Sequence, residues 1–461
     1  MKSVCIMGGG LGGLMTGALL AKEGYRVTVL EKNRIIGGGL QSFRRGDYLF
    51  DTGMHIFGGM GEDGQMRLIC RHLGIEDKVR TAPCRIVING STEQAPKSYY
   101  DKMRALADEE PLYTLRPTLD EARMPDMSHT AKELVQQFAH NDDELRLMAY
   151  PTLLYGGGAD SPALLHALIA CAHEEGTYTF VGGSLHFAEL LAGVIESAGG
   201  EVHTGEAVTG IDVADRQISA VHTQSGTYTA DIYINDMPVS RLLELTPDGA
   251  FTKAFRSRIS SAPYTVSGLC LFLGLKPNSM CQANNAYFVT ERECDPWNLD
   301  GGSEERWPNA MFALTTEKTI TAILPMRWEQ VVRWAESLTG HRPEEYYRWK
   351  ETMTERATET VCRELGIDRR TIAYAEAGTP LTIRDYYGTP RGALYGIHRS
   401  SNNQMQTSLS PRTRLTNLYL TGQDVNFHGL IGTSLTAIMT AETIVGRNTI
   451  VNKINNTIWK Q

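Results

Sequence analysis

The chain has 461 residues, of which 42% are hydrophobic and 21% charged, so the composition indicates a globular protein long enough for two or three cores. Its formal net charge is −8 and no run of Lys or Arg stands out, which argues against nucleic acid as a partner. No stretch reaches the roughly 18 apolar residues that span a bilayer, and the dispersed cysteines are typical of buried thiols in a reducing compartment. We therefore expect a cytoplasmic protein without a signal peptide, in which any membrane contact is peripheral, on the inner membrane face.

The first fifty residues predict a βαβ unit. SVCIM is typical of a short buried strand, LMTGALLAKEG of a helix that stops at Gly24, and RVTVLE of a second strand. Between the first strand and the helix lie Gly8, Gly10 and Gly13, in the spacing G-x-G-x-x-G. In that spacing the first glycine permits a tight turn, the second lets the backbone approach a pyrophosphate, and the third lets helix pack on strand. The amino-terminal end of this helix then presents free N–H groups and its positive dipole end to the phosphates.

An acidic residue and a second glycine cluster indicate which dinucleotide binds. Glu31 ends the second strand, where a carboxylate can accept both ribose hydroxyls and would repel a 2′-phosphate, which leaves NAD or FAD. Lys32 follows, and after five intervening residues come Gly38, Gly39 and Leu40. Small residues at this point let the chain pass close beneath a longer dinucleotide, so the second cluster favours FAD.

Four blocks of sequence, collinear over nearly the whole chain, resemble one family. FDTGMHIFGG resembles the stretch near the isoalloxazine ring of carotenoid and retinoid enzymes, and GTPLTIRDYYGTPRGALYGIHR resembles a block of retinol saturases. With the stretch that begins LLYGGGADSPALLHA and with NLYLTGQDVNFHGLIGT, they identify the chain as a retinol saturase-like member of the phytoene desaturase and carotenoid isomerase superfamily of FAD-dependent oxidoreductases. Many members carry an arginine after the glycine pair, where this chain has Gly39 and Leu40, so a flavin contact there must be through backbone.

The resemblance implies an α/β fold with a discontinuous, Rossmann-like FAD-binding domain of the glutathione reductase and amine oxidase type. A second domain, α+β with a mixed sheet, would bind the substrate. Apolar runs such as YTVSGLCLFLGL and ITAILPM, with two helices rich in Trp, Glu and Arg, fit that second domain. We expect the FAD-binding domain to comprise 1–60, 175–240 and 378–461, and the substrate-binding cap to comprise 61–174 and 241–377.

The resemblance also implies which residues hold FAD. Ala207 and Val208 should lie beside the adenine through backbone bonds, and Asp424 near the ribityl chain or pyrophosphate. A helix starting near Gly432 should direct its positive end at flavin O2 and stabilise the reduced ring. The complete predicted cofactor set is Gly8, Gly10, Leu11, Gly13, Glu31, Lys32, Gly38, Gly39, Leu40, Gly53, Met54, His55, Ala207, Val208, Gly422, Asp424, Gly432 and Thr433.

Three residues are candidates for catalysis. A flavin transfers hydride itself, so the protein must orient the substrate, exclude water and supply at most one proton. His55 and His428 lie in the motifs expected to flank the ring, and either could donate a proton at neutral pH. Tyr395 could reach the far face of the ring or donate from its hydroxyl. A purely structural role stays open for all three. His166, in an apolar helix, is interpreted as a hydrogen-bonded core residue, and no residue spacing matches a metal site.

The favoured function is an FAD-dependent oxidoreductase that saturates or desaturates a C=C bond in a long apolar polyene or isoprenoid, such as a retinoid or carotenoid. The resemblance favours saturation. The alternatives are redox-neutral cis/trans isomerisation of a polyene, amine oxidation, and a flavin-stabilised binding protein without enzymatic activity. The electron donor or acceptor is left open among NAD(P)H, a quinone and oxygen.

Overall fold

The computed structural model describes residues 1–110, 115, 127–277, 279, 281–300 and 304–456. Its strands, numbered in chain order, are β1 Ser3–Met7, β2 Arg26–Glu31, β3 Ser42–Arg45, β4 Tyr48–Asp51, β5 Thr81–Pro83, β6 Arg85–Ile88, β7 Tyr178–Phe180, β8 Glu201–Thr204, β9 Gly210–Ala214, β10 Gln217–His222, β11 Thr227–Tyr228, β12 Ile232–Asn235, β13 Ser267–Leu275, β14 Asn285–Thr290, β15 Ala310–Thr315, β16 Thr319–Met326, β17 Ile372–Gly378 and β18 Leu418–Leu420. Its α-helices are α1 Leu11–Lys22, α2 Gln65–Leu73, α3 Lys97–Ala107, α4 Ala131–Gln136, α5 Asp142–Ala149, α6 Thr152–Tyr155, α7 Ala163–Glu174, α8 Leu185–Ser197, α9 Val239–Leu245, α10 Lys253–Ser260, α11 Glu344–Leu365, α12 Pro380–Tyr387, α13 Gln404–Thr407, α14 Gly429–Val445 and α15 Thr449–Asn456.

The predicted βαβ unit consists of β1, α1 and β2, and both strands match the prediction to the residue. The two strands run parallel, with Val4 opposite Val27 and Ile6 opposite Val29. The chain turns after α1 at Gly24, whose φ of +85° is left-handed and therefore suits glycine. The structure of this βαβ unit thus follows from its own sequence, in which glycines separate the apolar runs.

Both strands belong to a five-stranded parallel sheet with the order β18-β12-β1-β2-β8. The helices α1, α8 and α14 pack together on one face, where Leu14, Leu191 and Leu435 share a core. On the other face, the antiparallel strands β9, β10 and β11 and the helices α9 and α10 share a second core. Because the strands are parallel, the loops that leave their carboxyl ends meet at one edge of the sheet.

The second large sheet is mixed, with the order β17-β13-β16-β15-β14-β6. Its neighbours are antiparallel except for the parallel pair β6 and β14. β13 is buried along its whole length, with Leu269 and Leu271 on the side of α11 and Cys270 and Phe272 on the opposite side. The expectation of two helices is wrong here: α11 is the one long helix, and residues 328–334 before it form two short 3-10 turns.

The predicted fold class is confirmed, since an α/β arrangement around a parallel sheet is joined to a mixed second sheet. The strands of the parallel sheet come from 1–60, 175–240 and 378–461, and those of the mixed sheet from 61–174 and 241–377, except that β17 reaches Gly378. The domain boundaries themselves remain a prediction. Within the described residues, no single helix has both the length and the apolarity to cross a bilayer, and the sharply bent pair α14 and α15 meets those criteria only together.

Candidate functional site

A cavity of about 410 Å³ opens at the carboxyl edge of the parallel sheet. Charged side chains, including Glu31, Lys32 and Arg241, lie on its wall beside that edge, and Cys270 and Ile323 of the mixed sheet lie on the wall that this second sheet provides. The cavity therefore lies between the two sheets. The predicted site residues that line it are Gly8, Gly10, Leu11, Glu31, Lys32, Gly38, Gly39, Leu40, Gly53, Met54, Ala207, Val208, Asp424, Thr433 and Tyr395.

The Glu31 carboxylate is held in place by backbone. One oxygen accepts the Gly9 N–H at 2.8 Å and the other accepts the Asn33 N–H at 2.8 Å. The side chain is 5% exposed, so the carboxylate is fixed where the glycine loop and the end of β2 meet. This position suits the ribose of an adenine dinucleotide, as the sequence predicts.

The two glycine clusters contact each other directly. The Gly37 N–H donates to the Gly9 carbonyl at 2.7 Å, and a β-carbon added to Gly38 would lie 3.2 Å from the Gly10 Cα. Gly37 itself has a φ of +110°, which favours glycine. The second cluster is thus needed for close backbone packing against the first, and Gly39 leaves open space where a β-carbon would meet nothing within 4 Å.

These features fit FAD. Gly10 caps α1 without a side-chain hydrogen bond, so this end of α1 can bind an anion such as pyrophosphate. A β-carbon on Gly13 would lie 2.1 Å from the Gly8 carbonyl oxygen, which is the close helix–strand packing expected of the third glycine. The charged wall beside β2 would hold the adenosine and phosphates, and the wall formed by the mixed sheet would hold the apolar ring.

Several predicted cofactor residues lie outside this cavity. Gly13 packs beneath the glycine loop, and Gly422, with a φ of +87°, packs against the start of α1. The helix expected to start near Gly432 begins at Gly429, because His428 is extended and caps it. Gly432 therefore lies one turn inside α14, where a β-carbon would be 2.6 Å from the Phe427 Cβ. Gly429 and Thr433 of this turn line the cavity instead.

A second cavity, of about 120 Å³, adjoins the first at Gly53, Met54, Ile323, Tyr395 and Gly429. Its wall is otherwise mostly apolar, and it contains no Asp, Glu, Lys or Arg among the described residues. The wall residues that are not shared with the first cavity are His55, Ile56, Phe57, Gly58, Leu154, Leu165, Leu168, Ile169, Ala172, His173, Phe312, Phe427, His428, Leu430, Ile431, Gly432 and Leu435.

His55 and His428 both line this second cavity, as neutral imidazoles. Burial lowers the pKa of His55 to about 4, and burial with nearby Arg399 and His398 lowers the pKa of His428 to about 3. Neither ring nitrogen of His55 has a hydrogen-bond partner, and Nε2 of His428 has none. At neutral pH these side chains lack the second, acidic proton of an imidazolium, which disfavours them as proton donors, and their catalytic role stays a prediction.

Tyr395 lies where the two cavities meet. Its hydroxyl donates to the Leu153 carbonyl at 2.8 Å, and its ring lies 5.3 Å from that of His428. Burial raises the pKa of Tyr395, so the phenol keeps its proton. His166, by contrast, is a core residue as expected, because the hydroxyls of Tyr99 and Tyr155 hydrogen-bond its two ring nitrogens at 2.9 and 3.0 Å.

Asp424 connects three segments of the chain. Its carboxylate accepts the N–H groups of Val239 at 3.3 Å and Ile397 at 3.2 Å, and its own carbonyl accepts the guanidinium of Arg399 at 2.9 Å. Burial raises the pKa of this carboxyl group. Asp424 thus braces the cavity wall with its side chain, which is compatible with the predicted cofactor contact through the surrounding backbone.

The sequence analysis missed Asp236, which also lines the first cavity. This residue directly follows β12, and its carboxylate reaches the start of α1. This contact follows from the sheet topology. Because β12 is the neighbour of β1 in the sheet, a residue that follows β12 lies beside the loop that follows β1. No cluster of metal-ligating side chains is found among the described residues.

Comparisons with known proteins agree with this site. The model of the flavin containing amine oxidoreductase family matches residues 11–346. All-trans-retinol 13,14-reductase of Danio rerio is 24% identical, covering 96% of this chain and 86% of the relative. The 4,4'-diaponeurosporene oxygenase of Staphylococcus aureus is 22% identical, covering 92% of this chain and 94% of the relative. The solved structure of a putrescine oxidase has the same fold, with a TM-score of 0.63 at 13% identity and coverage of 97% and 99%. The resemblance to retinol saturases is thereby confirmed, and the chain belongs to the flavin-containing amine oxidoreductase family as an FAD-dependent oxidoreductase.

Proposed function

We propose that this enzyme adds hydrogen across a C=C bond of a long apolar polyene or isoprenoid of the retinoid or carotenoid class. The observation that carries the proposal is the uncharged second cavity, which adjoins the cofactor cavity at Met54 and Tyr395. An apolar chain gains free energy on entering such a cavity, at about 25 cal/mol per Å² of apolar surface removed from water. Two relatives, by their names, act on retinol and on diaponeurosporene, which supports this substrate class.

The same wall disfavours a charged substrate. An ammonium or carboxylate group in the second cavity would lose its hydration without meeting an opposite charge, which costs several kcal/mol. Burial also keeps the three histidines of this wall, His55, His173 and His428, neutral by lowering the pKa of each. Amine oxidation therefore fits this cavity less well than polyene chemistry does.

The chain's own residues have limited tasks in this reaction. FAD, when bound, supplies the hydride chemistry. Met54, Phe312 and Ile323 exclude water from the substrate, and Tyr395 holds a proton on its hydroxyl where the cavities meet. Hydride addition to one alkene carbon leaves the other carbon strongly basic, and a neutral phenol can protonate it. We therefore propose Tyr395 as the proton donor.

Anaerobic mixing of flavin-reduced enzyme with a panel of polyenes tests the function. We expect an accepted polyene to reoxidise the flavin in a single turnover and to gain about two mass units, one hydrogen molecule. A product of unchanged mass would instead indicate isomerisation, and a loss of two, seen with oxidised enzyme, would indicate desaturation. Failure of every polyene to react, with an amine reducing the flavin, would overturn the proposal.

We also propose that the enzyme is cytoplasmic and takes its substrate from a membrane by peripheral contact. A polyene is nearly insoluble in water, so a bilayer is its natural reservoir. Sedimentation with liposomes tests this contact, and we expect part of the protein in the pellet. Complete absence of the protein from the pellet at low salt would contradict membrane contact and favour delivery by a carrier.

A further inference from the structure

Asp236 places a carboxylate against the dinucleotide glycine loop. A β-carbon on Gly12 would lie 2.3 Å from its Oδ1, and a β-carbon on Gly10 would lie 2.7 Å from its Oδ2. A β-carbon on Gly13 would lie 3.1 Å from the same Oδ2, so both carboxylate oxygens lie directly beside the glycine loop. The carboxylate thus lies at the amino-terminal end of α1, on the wall of the cofactor cavity.

The same end of α1 is the part of the fold that binds a pyrophosphate in dinucleotide enzymes. FAD therefore brings two negative charges close to a group that is itself an acid. A carboxylate and a pyrophosphate on the same wall of the cavity repel each other, and this repulsion costs more free energy when the bound dinucleotide displaces the water between them.

The charged groups around Asp236 do not relieve this conflict. Glu31 at the end of β2 and Asp424 after β18 are both negative and both raise the pKa of Asp236. Lys32 directs its Nζ to the Asp385 carbonyl at 3.1 Å, and Arg241 on α9 is paired with Glu244 at 2.7 Å. The β1–α1 loop offers only backbone N–H groups.

We propose that the Asp236 carboxyl group must be protonated when the pyrophosphate of FAD occupies the start of α1, so that a chain that has lost this proton takes it up again on binding FAD. A protonated carboxyl group is a hydrogen-bond donor and is compatible with a phosphate oxygen, whereas a carboxylate only accepts. The free chain is already close to this state, since burial raises the pKa of Asp236 to about 8. This inference concerns cofactor loading and does not depend on the polyene proposal.

The sign of the pH dependence follows from linkage. Below about pH 8 the free chain already holds the proton, so affinity for FAD is highest and independent of pH. Above that pH the free chain has lost the proton and must regain it on binding. The affinity then falls about tenfold for each further pH unit.

Titration of flavin-stripped protein with FAD, followed by flavin fluorescence between about pH 6 and pH 10, tests this linkage. We expect wild-type affinity to fall at the alkaline end, and Asp236→Asn, which is neutral at every pH, to stay flat. The matched control is Asp231→Asn on the same chain segment just before β12, where the carboxylate is exposed and binds the Ser3 N–H. That variant should keep the wild-type pH profile.

A second measurement needs no variant. Calorimetric titration of wild-type protein in two buffers of different ionisation enthalpy counts the protons taken up with FAD. Near pH 9 we expect about one proton per FAD, and near pH 6 about none. A count near zero at both pH values, or an Asp236→Asn profile as steep as that of wild type, would overturn the proposal.

Discussion

At the residue scale, the glycines of the cofactor site differ in how much space surrounds a β-carbon that a substitution would add. Gly13→Ala would place a β-carbon 2.1 Å from the Gly8 carbonyl oxygen, so α1 must move away from β1. We expect a loss of about 1–3 kcal/mol in the free energy of unfolding and of most bound flavin. Gly39→Ala meets nothing within 4 Å and should keep the wild-type Tm. Thermal melts and the flavin-to-protein ratio measure both, and a Gly13→Ala protein indistinguishable from wild type would contradict the packing.

The source of the proton is a second question at the residue scale. If Tyr395 donates it, Tyr395→Phe should slow the oxidation of reduced flavin by an accepted polyene by about two powers of ten. The rate of wild-type enzyme should not change between about pH 6 and pH 8, because the phenol keeps its proton throughout and both histidines stay neutral.

His55→Ala and His428→Ala are the comparison variants for this experiment. An imidazolium donor with a pKa of about 4 or 3 would make the rate fall tenfold for each pH unit above that value. We expect a flat profile and smaller rate losses than in Tyr395→Phe, with flavin bound in all three variants. Wild-type rates in Tyr395→Phe would show that the proton comes from water or from another residue.

At the scale of elements, one carboxylate connects α12 to the segment that precedes α11. Asp385 near its end accepts the buried guanidinium of Arg342 and the hydroxyl of Thr339. The same helix carries Ile383 and Tyr387 on the wall of the cofactor cavity. This ion pair therefore links the cofactor cavity to the segment before α11.

Removing Asp385 should be costly, since it leaves the guanidinium of Arg342, whose side chain is only 4% exposed, without its carboxylate. For Asp385→Ala we expect a loss of about 3 kcal/mol in the free energy of unfolding, measured by denaturant titration, and weaker FAD binding. Asp101→Ala removes an exposed carboxylate paired with Lys97 and should change the free energy of unfolding by less than about 1 kcal/mol. Equal effects of the two substitutions would contradict the anchoring role of Asp385.

Elements with a strong local signal were predictable from the sequence. β1, α1 and β2 have apolar runs bounded by glycine. The bounds of both strands match the prediction, and α1 starts at Leu11, three residues before the predicted helix. The start of α14 was not predictable, because it depends on the extended backbone of His428 and on Gly429 at a φ of +73°. Residues 328–334, rich in Trp, Arg and Glu, have a helical composition but form 3-10 turns that place Trp334 in the core against α11.

The residues of the site likewise divide into those that local sequence predicts and those that depend on distant contacts. Glu31 and the glycine clusters lie where spacing placed them, because a βαβ unit fixes its own geometry. Asp236 was missed because its contact with α1 arises only when β12 pairs with β1, across more than two hundred residues of chain. The neutral state of His55 and His428 also depends on packing from distant segments, including Phe312 and Tyr395.

At the scale of the whole molecule, the cavity cannot form without the last part of the chain. β18 pairs with β12, and Thr421, Asp424 and Thr433 line the cavity after it. A chain that ends at Thr416 loses β18 and α14 and exposes the apolar faces of β12 and α1. We expect that protein to be colourless and to aggregate, as seen by absorbance and sedimentation. A soluble, yellow truncated protein would contradict the requirement.

The strand order also determines the stage of biosynthesis at which the protein can first bind flavin. β1 is made first and lies at the centre of the sheet, yet its neighbour β12 and the outer strand β18 leave the ribosome much later. Domains usually fold as they emerge, but here the nascent chain displays the glycine loop with an incomplete wall for most of its synthesis. FAD should therefore bind after synthesis of the chain is finished. A shortage of FAD in the cell should leave full-length protein without flavin, which chaperones bind or proteases degrade.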